Sequence, residues 1–165
     1  MKPNQQYFCN TPWYELHIYQ DGSLGICCQE DHKLYPENKT WNIATTTIKE
    51  WFNSKPACDF RKSLLGKKPV SACVQCYKEE AAQGYSRRMR SNQKSVIFTR
   101  TAFDESFRQS PGYEHFKFAA ENKGTTDTLP IDLHIDLGNY CNLACKMCNA
   151  SASTTIATQE VNWGI

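Results

Sequence analysis

Several signals that usually reveal an enzyme or a membrane protein are missing from this sequence. It holds no GxSxG, Walker or dinucleotide-binding glycine motif, and no apolar run near the roughly 18 residues of a membrane span. Its N-terminal residues lack the apolar stretch of a signal peptide. With 19 basic and 17 acidic residues, the formal charge is only +2. We therefore expect a cytoplasmic protein that binds neither membrane nor nucleic acid.

Cysteine is abundant instead, with nine in 165 residues. In a reducing compartment, clustered cysteines bind metal or do redox chemistry more often than they form disulfides. The four histidines show no paired metal-binding spacing, so His17 and His134 are expected to be ordinary strand residues. The cysteines form two groups, which predicts two metal sites: Cys9, Cys27, Cys28, Cys58, Cys73 and Cys76, then Cys141, Cys145 and Cys148.

Local patterns predict short elements along the chain. An Asp21-Gly22 pair between alternating apolar positions predicts a hairpin, with strands over 14–20 and 23–29. Alternation over 129–137 predicts a further strand. Capping residues, periodic apolar positions and glycine stops predict helices over 45–53, 56–65, 77–82, around 103–107, over 113–122 and over 154–161.

These elements divide the chain into three parts. We predict an α+β domain of a β-hairpin and short helices over 1–90, a connector over 91–128, and a strand, loop and helix over 129–165. The last part has the order of one βα unit of a parallel α/β barrel. A barrel of six to eight such units needs on the order of 200 residues, so we expect this chain to carry only its beginning.

The second cysteine group has a spacing suited to an iron-sulfur cluster. Cys141, Cys145 and Cys148 lie in the loop after the predicted strand, at i, i+4 and i+7. Three thiolates can hold three corners of a [4Fe-4S] cubane and leave the fourth iron open. A zinc loop is the alternative, although structural zinc sites usually take four protein ligands.

The segment LHIDLGNYCNLACKMCNASAS resembles the first βα loop of the radical S-adenosylmethionine (SAM) superfamily. The resemblance implies that SAM binds the open iron and that an electron from an external reductant cleaves it to a 5'-deoxyadenosyl radical. Met147 stands where the family often has an aromatic residue and would cover the adenine. The family's glycine-rich SAM-contacting segment has no counterpart here, so the chain alone is expected to be inactive unless a second polypeptide completes the barrel. The substrate, a peptide or a small molecule, is left open.

The first cysteine group can supply four ligands. A hairpin returns Cys27 towards the strand that follows Cys9, and Cys73 and Cys76 form a CxxC pair at a predicted helix start. These four thiolates could complete a second [4Fe-4S] cluster, although a four-cysteine zinc site needs the same residues. Cys28 is the alternative to Cys27. Neighbouring side chains on a strand point to opposite faces, so we expect only one of the two to bind the cluster.

This half of the chain resembles the twitch domain, the shorter relative of the SPASM domain. The resemblance implies an auxiliary [4Fe-4S] cluster on Cys9, Cys27, Cys73 and Cys76, in a domain that here precedes the barrel instead of following it. The matching features are Gly22-x4-Cys27, Ile48-Lys49-Glu50-Trp51-Phe52, Arg61-Lys62-Ser63-Leu64-Leu65-Gly66, and Cys73-x2-Cys76 followed by Glu79, Glu80, Gly84 and Ser86.

The alternative function is a non-catalytic iron-sulfur or zinc-binding module for electron transfer.

Overall fold

The structure is a computed structural model that describes residues 7–30, 41–66, 68–94 and 111–163. The predicted helix around 103–107 lies outside these ranges. No helix in the described part of the chain is long and apolar enough to cross a membrane. The strands are β1 (Glu15–Ile18), β2 (Leu24–Gly25) and β3 (Asp132–Ile135), and the helices are α1 (Ile48–Phe52), α2 (Lys55–Leu64), α3 (Val74–Gln83), α4 (Arg87–Lys94), α5 (Pro111–Glu121) and α6 (Thr154–Trp163).

The predicted hairpin is present, with shorter strands than expected. β1 and β2 pair antiparallel, with Ile18 opposite Leu24, and Gly22 makes the turn with a φ of +81°. The predicted return strand continued to residue 29, whereas β2 ends at Gly25. Beyond that point the Ile26 N–H donates to the Glu30 carboxylate at 3.1 Å, so this backbone group is not available to extend the pairing.

β3 lies on the other side of β1, so the sheet order is β2-β1-β3. β1 and β3 run parallel, with Leu16 beside Leu133 and Ile18 beside Ile135. As the edge strand, β3 leaves Leu133 and Ile135 46% and 48% exposed. The small sheet with its helices is compatible with the predicted α+β class, and the start of a radical SAM barrel stays a prediction.

Helix α1 lies within the predicted range 45–53 and begins after a capping threonine. Thr47 and Glu50 form a reciprocal capping box, in which the Glu50 N–H donates to Thr47 Oγ1 at 3.2 Å and the Thr47 N–H donates to Glu50 Oε2 at 2.9 Å. This exchange pairs two amides that would otherwise lack partners at the helix start. Trp51 and Phe52 then bury their rings in the core.

A fully buried arginine joins three segments of this core. Arg61 Nε donates to the Pro12 carbonyl at 2.7 Å, and its Nη1 donates to the carbonyls of Phe52 at 2.6 Å and Gly124 at 3.0 Å. Its guanidinium also lies 4.2 Å from the centre of the Phe52 ring. Because charged donors to carbonyls form strong hydrogen bonds, Arg61 fixes α2 against the segment before β1 and against the chain after α5.

Helix α5 packs on the same core, although it falls in the predicted connector. Its Phe116 ring meets Phe8 at 5.5 Å and Trp13 at 5.4 Å between ring centres, both edge-on. Such edge-to-face contacts add to the area that the rings bury. The described part of the connector therefore contributes apolar residues to the core around β1.

Two glycines with left-handed backbones provide a matched test of this packing. Gly124 has a φ of +83°, and a Cβ added there would lie 2.4 Å from the Cys58 carbonyl oxygen. Gly84, at the end of α3, has a φ of +72° and no described atom within 4 Å of an added Cβ. Left-handed strain alone costs Gly84→Ala about 1 kcal/mol.

We expect Gly124→Ala to lose about 2 kcal/mol more than Gly84→Ala, because the Cys58 backbone must also move. Urea unfolding of the two variants and the wild type measures the difference. Equal losses would show that α2 and the chain after α5 are not in close contact.

Candidate iron-sulfur site

Four of the predicted ligand cysteines line one cavity between the hairpin and α3: Cys9, Cys27, Cys73 and Cys76. They reach it from three parts of the chain. Cys9 precedes a 3-10 turn and Cys27 follows β2. Cys73 is the N-cap of α3 and Cys76 lies in its first turn, so the CxxC pair begins a helix as predicted. The helix N-terminus favours negative charge, which suits thiolate ligands.

Helix α4 holds Cys9 close to the CxxC pair. Arg88 Nη1 donates to the carbonyl of Phe8, the neighbour of Cys9, at 2.9 Å, and Asn92 Nδ2 donates to the same carbonyl at 2.8 Å. The Arg88 Nε donates at 3.0 Å to Glu80, which lies on α3. One buried guanidinium therefore connects the segment of Cys9 to the helix that carries Cys76.

The two adjacent cysteines after β2 have different surroundings. The Cys27 sulfur accepts the Gln29 N–H at 3.4 Å and lines the cavity. Cys28 is not among the lining residues, and burial raises the pKa of its thiol while the charge of Arg87 opposes this shift. This placement agrees with the preference for Cys27, whose role as a ligand stays a prediction.

Cys58 lies away from the cavity, on α2. Its side chain is buried, and its sulfur is 3.5 Å from the Asn53 carbonyl oxygen, to which the thiol donates. A buried free cysteine of this kind packs as a small apolar residue.

Burial controls the protonation of the four thiols at the cavity. It raises the pKa of Cys9 to about 11 and that of Cys73 to about 12. It also raises the pKa of Cys27 and Cys76. The negative charge of Cys9 further raises the pKa of both Cys27 and Cys73. The metal-free thiols are therefore protonated at neutral pH, and a bound metal must displace their protons.

The spacing of these cysteines bears on which metal group they suit. Zinc-thiolate bonds of about 2.3 Å place the sulfurs of a tetrahedral site about 3.8 Å apart. Among the described side chains, no three cysteines bring their sulfurs within 4.8 Å of one another. A cubane attaches each thiolate to a different iron and so spaces the sulfurs more widely. The choice between a cluster and a single zinc ion at these cysteines stays a prediction.

Positive charge also reaches the cavity, because Arg87 and Arg88 both contribute to its lining. Arg87 Nη2 lies 2.7 and 2.8 Å from the two carboxylate oxygens of Glu15, which is buried. Arg88 is paired with Glu80. Burial raises the pKa of the Cys9 and Cys76 thiols, and the positive charge of Arg88 opposes this shift. Guanidinium groups and N–H donors near sulfur stabilise an anionic cluster.

The second cysteine group lies in the loop between β3 and α6. Cys145 is exposed, whereas Cys141 and Cys148 are partly buried. Ser153, fully buried, donates to the Leu143 carbonyl at 2.9 Å and accepts the Ile156 N–H at 3.4 Å. This serine connects the loop to the start of α6, although the three sulfurs do not form a group within 4.8 Å in the described structure.

The segment around the predicted SAM-contacting residue is open to solvent. Met147 is 98% exposed, and Tyr140 is 97% exposed. No adenine pocket surrounds Met147 within the described residues, so its predicted role stays a prediction.

Sequence reasoning missed two groups of polar residues at or near the site. Arg88 and Asn92 contact Phe8, which lies 80 and 84 positions earlier in the chain, and no local pattern indicates such contacts. His17, His134 and Asp136 converge on the polar side of the sheet, whereas the histidines were expected to be ordinary strand residues. Both histidines lie on predicted strands, which would have indicated their convergence if the pairing of those strands were known. The sequence does not show that pairing.

Comparison with known proteins gives one family. Residues 9–77 match the model of the SPASM family, described as an iron-sulfur cluster-binding domain. The match begins at Cys9 and ends one residue after Cys76, so it includes all four cysteines at the cavity. It supports the predicted twitch or SPASM domain and, with it, iron-sulfur cluster binding. Neither the curated proteins nor the solved structures gave a match to the chain.

The raised thiol pKa values predict how the metal-free protein responds to alkali. Unfolded cysteines release protons near pH 8.5, whereas folded Cys9 does so near its pKa of about 11. The folded state therefore binds more protons between these values, and its stability must fall as the pH rises. Urea unfolding under anaerobic, reducing conditions with a chelator should show the free energy of unfolding decreasing from about pH 8 to 10.

The variant Cys73→Ala should reduce this slope, because it removes one thiol whose pKa is raised in the folded state. A free energy of unfolding that is constant or increases over the same pH range would contradict the protonated state of the buried thiols.

Proposed function

We propose that Cys9, Cys27, Cys73 and Cys76 bind one [4Fe-4S] cluster and that this cluster transfers single electrons. The observation that carries the proposal is the convergence of these four cysteines on one cavity within the segment that matches the SPASM model.

The chain's own residues determine what such a cluster could do. Four protein thiolates leave no iron corner open to a substrate, which favours electron transfer over substrate binding. The backbone N–H of Gln29 donates to the Cys27 sulfur, and the guanidinium groups of Arg87 and Arg88 lie at the cavity. The Gln29 N–H donor favours the more negative, reduced state of a cluster and so raises its potential, whereas Arg87 and Arg88 are each paired with a carboxylate.

The first test compares the four cysteines with the two that lie outside the cavity. In a background of C141A/C145A/C148A, anaerobic reconstitution should give about four irons per chain. Cys9→Ala, Cys27→Ala, Cys73→Ala and Cys76→Ala should each lose most of this iron, because each removes one corner ligand. Cys28→Ala and Cys58→Ala are the matched controls and should keep it.

Iron and sulfide analysis, with circular dichroism to check folding, measures the outcome. Zinc retained in place of iron, or iron loss in the controls as large as in the four ligand variants, would contradict the proposal.

We further propose that Cys141, Cys145 and Cys148 hold a second [4Fe-4S] cluster, as in radical SAM enzymes. Support comes from the CxxxCxxC spacing and from the order of β3, cysteine loop and α6. When bound together, that cluster and SAM would supply a 5'-deoxyadenosyl radical. The loop contributes three thiolates, and Ser153 and Thr154 fix it to α6, since Thr154 Oγ1 donates to the Cys141 carbonyl at 3.2 Å.

In this proposal residues 1–90 form the auxiliary-cluster domain, 91–128 the connector and 129–165 the start of the radical SAM core. An external one-electron reductant would reduce the clusters. The substrate would be a peptide or a small molecule. The half-exposed apolar side of β3 would be covered by further barrel units, whether from the same chain or from a second polypeptide. Its Leu133 and Ile135 side chains are the surface such units would bury.

A second candidate function is a non-catalytic electron-transfer module. The exposure of Met147 and Tyr140 favours it for the chain alone, because the described residues form no pocket around them. The two functions differ in whether SAM contacts the second cluster.

Electron paramagnetic resonance of the reduced, reconstituted chain separates these functions. If SAM binds, adding it should change the spectrum of the wild type and of the control Cys58→Ala, and should have no effect on Cys145→Ala, which lacks one loop ligand. A wild-type spectrum unchanged by SAM would contradict SAM binding by this chain and support the module.

A further inference from the structure

Three potential metal ligands converge from two neighbouring strands on the polar side of the sheet. The parallel register places His17 of β1 beside His134 of β3, and Asp136 is two residues further along on the same side. Its two carboxylate oxygens are approached separately. His17 Nε2 lies 3.0 Å from Oδ2, and His134 Nε2 lies 3.4 Å from Oδ1.

These separations match those between ligands of one metal ion. Nitrogen and oxygen ligands at about 2.0 to 2.2 Å from a zinc ion lie about 3.0 to 3.5 Å from each other. Within the described part of the chain, His17, His134 and Asp136 are the one group of three histidine, cysteine or acidic side chains whose ligand atoms all lie within 4.8 Å of one another.

The surroundings suit metal binding as well. His17 is 2% exposed, and burial lowers the pKa of its imidazole, which keeps the ring neutral and able to bind metal. Its Nδ1 has no hydrogen-bond partner among the described residues. The side chains of His134 and Asp136 are 44% and 43% exposed, so an ion can enter from solvent.

We propose that His17, His134 and Asp136 form a binding site for a divalent transition-metal ion, separate from both cysteine sites. Two imidazoles and one carboxylate are donors that suit zinc and ferrous iron. Three protein ligands leave further coordination positions for water or a small anionic ligand. The site does not depend on the proposed iron-sulfur function, because it uses none of the cysteines.

The position of this site connects it to both cysteine groups. The ring of His17 lies 3.9 Å from that of Tyr19, whose hydroxyl donates to the Cys27 carbonyl at 3.3 Å. Asp136 directly follows β3 and precedes Cys141 by five residues. A metal ion here would place positive charge beside the residues that lead into each cysteine site.

The competing explanation is a hydrogen-bonded network of the same side chains with no metal. Asp136→Asn separates the two, because the amide retains an acceptor oxygen for a histidine N–H but loses the anionic ligand. His134→Ala removes a half-exposed side chain that the fold does not bury. His115→Ala is the matched control, since it removes a histidine that bonds Thr128 elsewhere on the molecule.

The test adds Co²⁺ to the full chain after its cysteine sites have been filled with the metal they bind. We expect one Co²⁺ per chain with a d–d spectrum and no thiolate-to-cobalt charge-transfer band, which indicates nitrogen and oxygen ligands. Asp136→Asn and His134→Ala should bind Co²⁺ about tenfold or more weakly, whereas His115→Ala should match the wild type.

Thermal unfolding with Zn²⁺ is the second readout, because an ion that binds only the folded state raises the melting temperature. That shift should disappear in Asp136→Asn and His134→Ala. Co²⁺ affinity equal to wild type in both variants, or a spectrum dominated by thiolate charge transfer, would overturn the metal site. Neither result would bear on whether the cysteines hold iron.

Discussion

The contact between Arg88 and the Phe8 carbonyl determines whether the cysteines of this protein can act together. Cys9 lies on the segment before β1, and Cys76 lies on α3, more than 60 residues later. Arg88 donates to the carbonyl next to Cys9 and pairs with Glu80 on α3. Asn92, also on α4, donates to the same Phe8 carbonyl. The geometry of the cavity depends on this connection.

Buried arginines serve this small fold in two places, for a common reason. The core has few apolar residues for the number of irregular segments that it must order, and each such segment carries carbonyl groups that need donors. Arg61 satisfies three carbonyls from separate segments, and Arg88 satisfies one while it neutralises a carboxylate. The Arg88 contacts hold the backbone next to Cys9 against α3, the helix that carries Cys76.

Features that depend on neighbouring residues could be predicted from the sequence. The hairpin turn at Gly22, the capping box of Thr47 and Glu50, and the end of α3 at Gly84 follow from interactions within a few residues. The CxxC pair at a helix start was predicted for the same reason. Such signals act over the length of a turn, so their strength does not depend on the rest of the fold.

Long-range features could not be predicted in this way. The parallel pairing of β1 with β3 joins residues more than 110 positions apart and brings His17 to His134. The packing of Phe116 against Trp13 places part of the predicted connector in the core. Each of these results from tertiary contacts, for which a single sequence contains no periodic signal.

We infer that the cavity between the hairpin and α3 holds iron and sulfide in a multinuclear cluster. X-ray absorption at the iron edge tests it most directly, on anaerobically reconstituted protein in which Cys141, Cys145 and Cys148 are replaced by alanine. We expect iron surrounded by sulfur, with the short iron-iron distance that is characteristic of a cluster. Zinc in a tetrahedral environment of four sulfurs, with no iron bound, would contradict it.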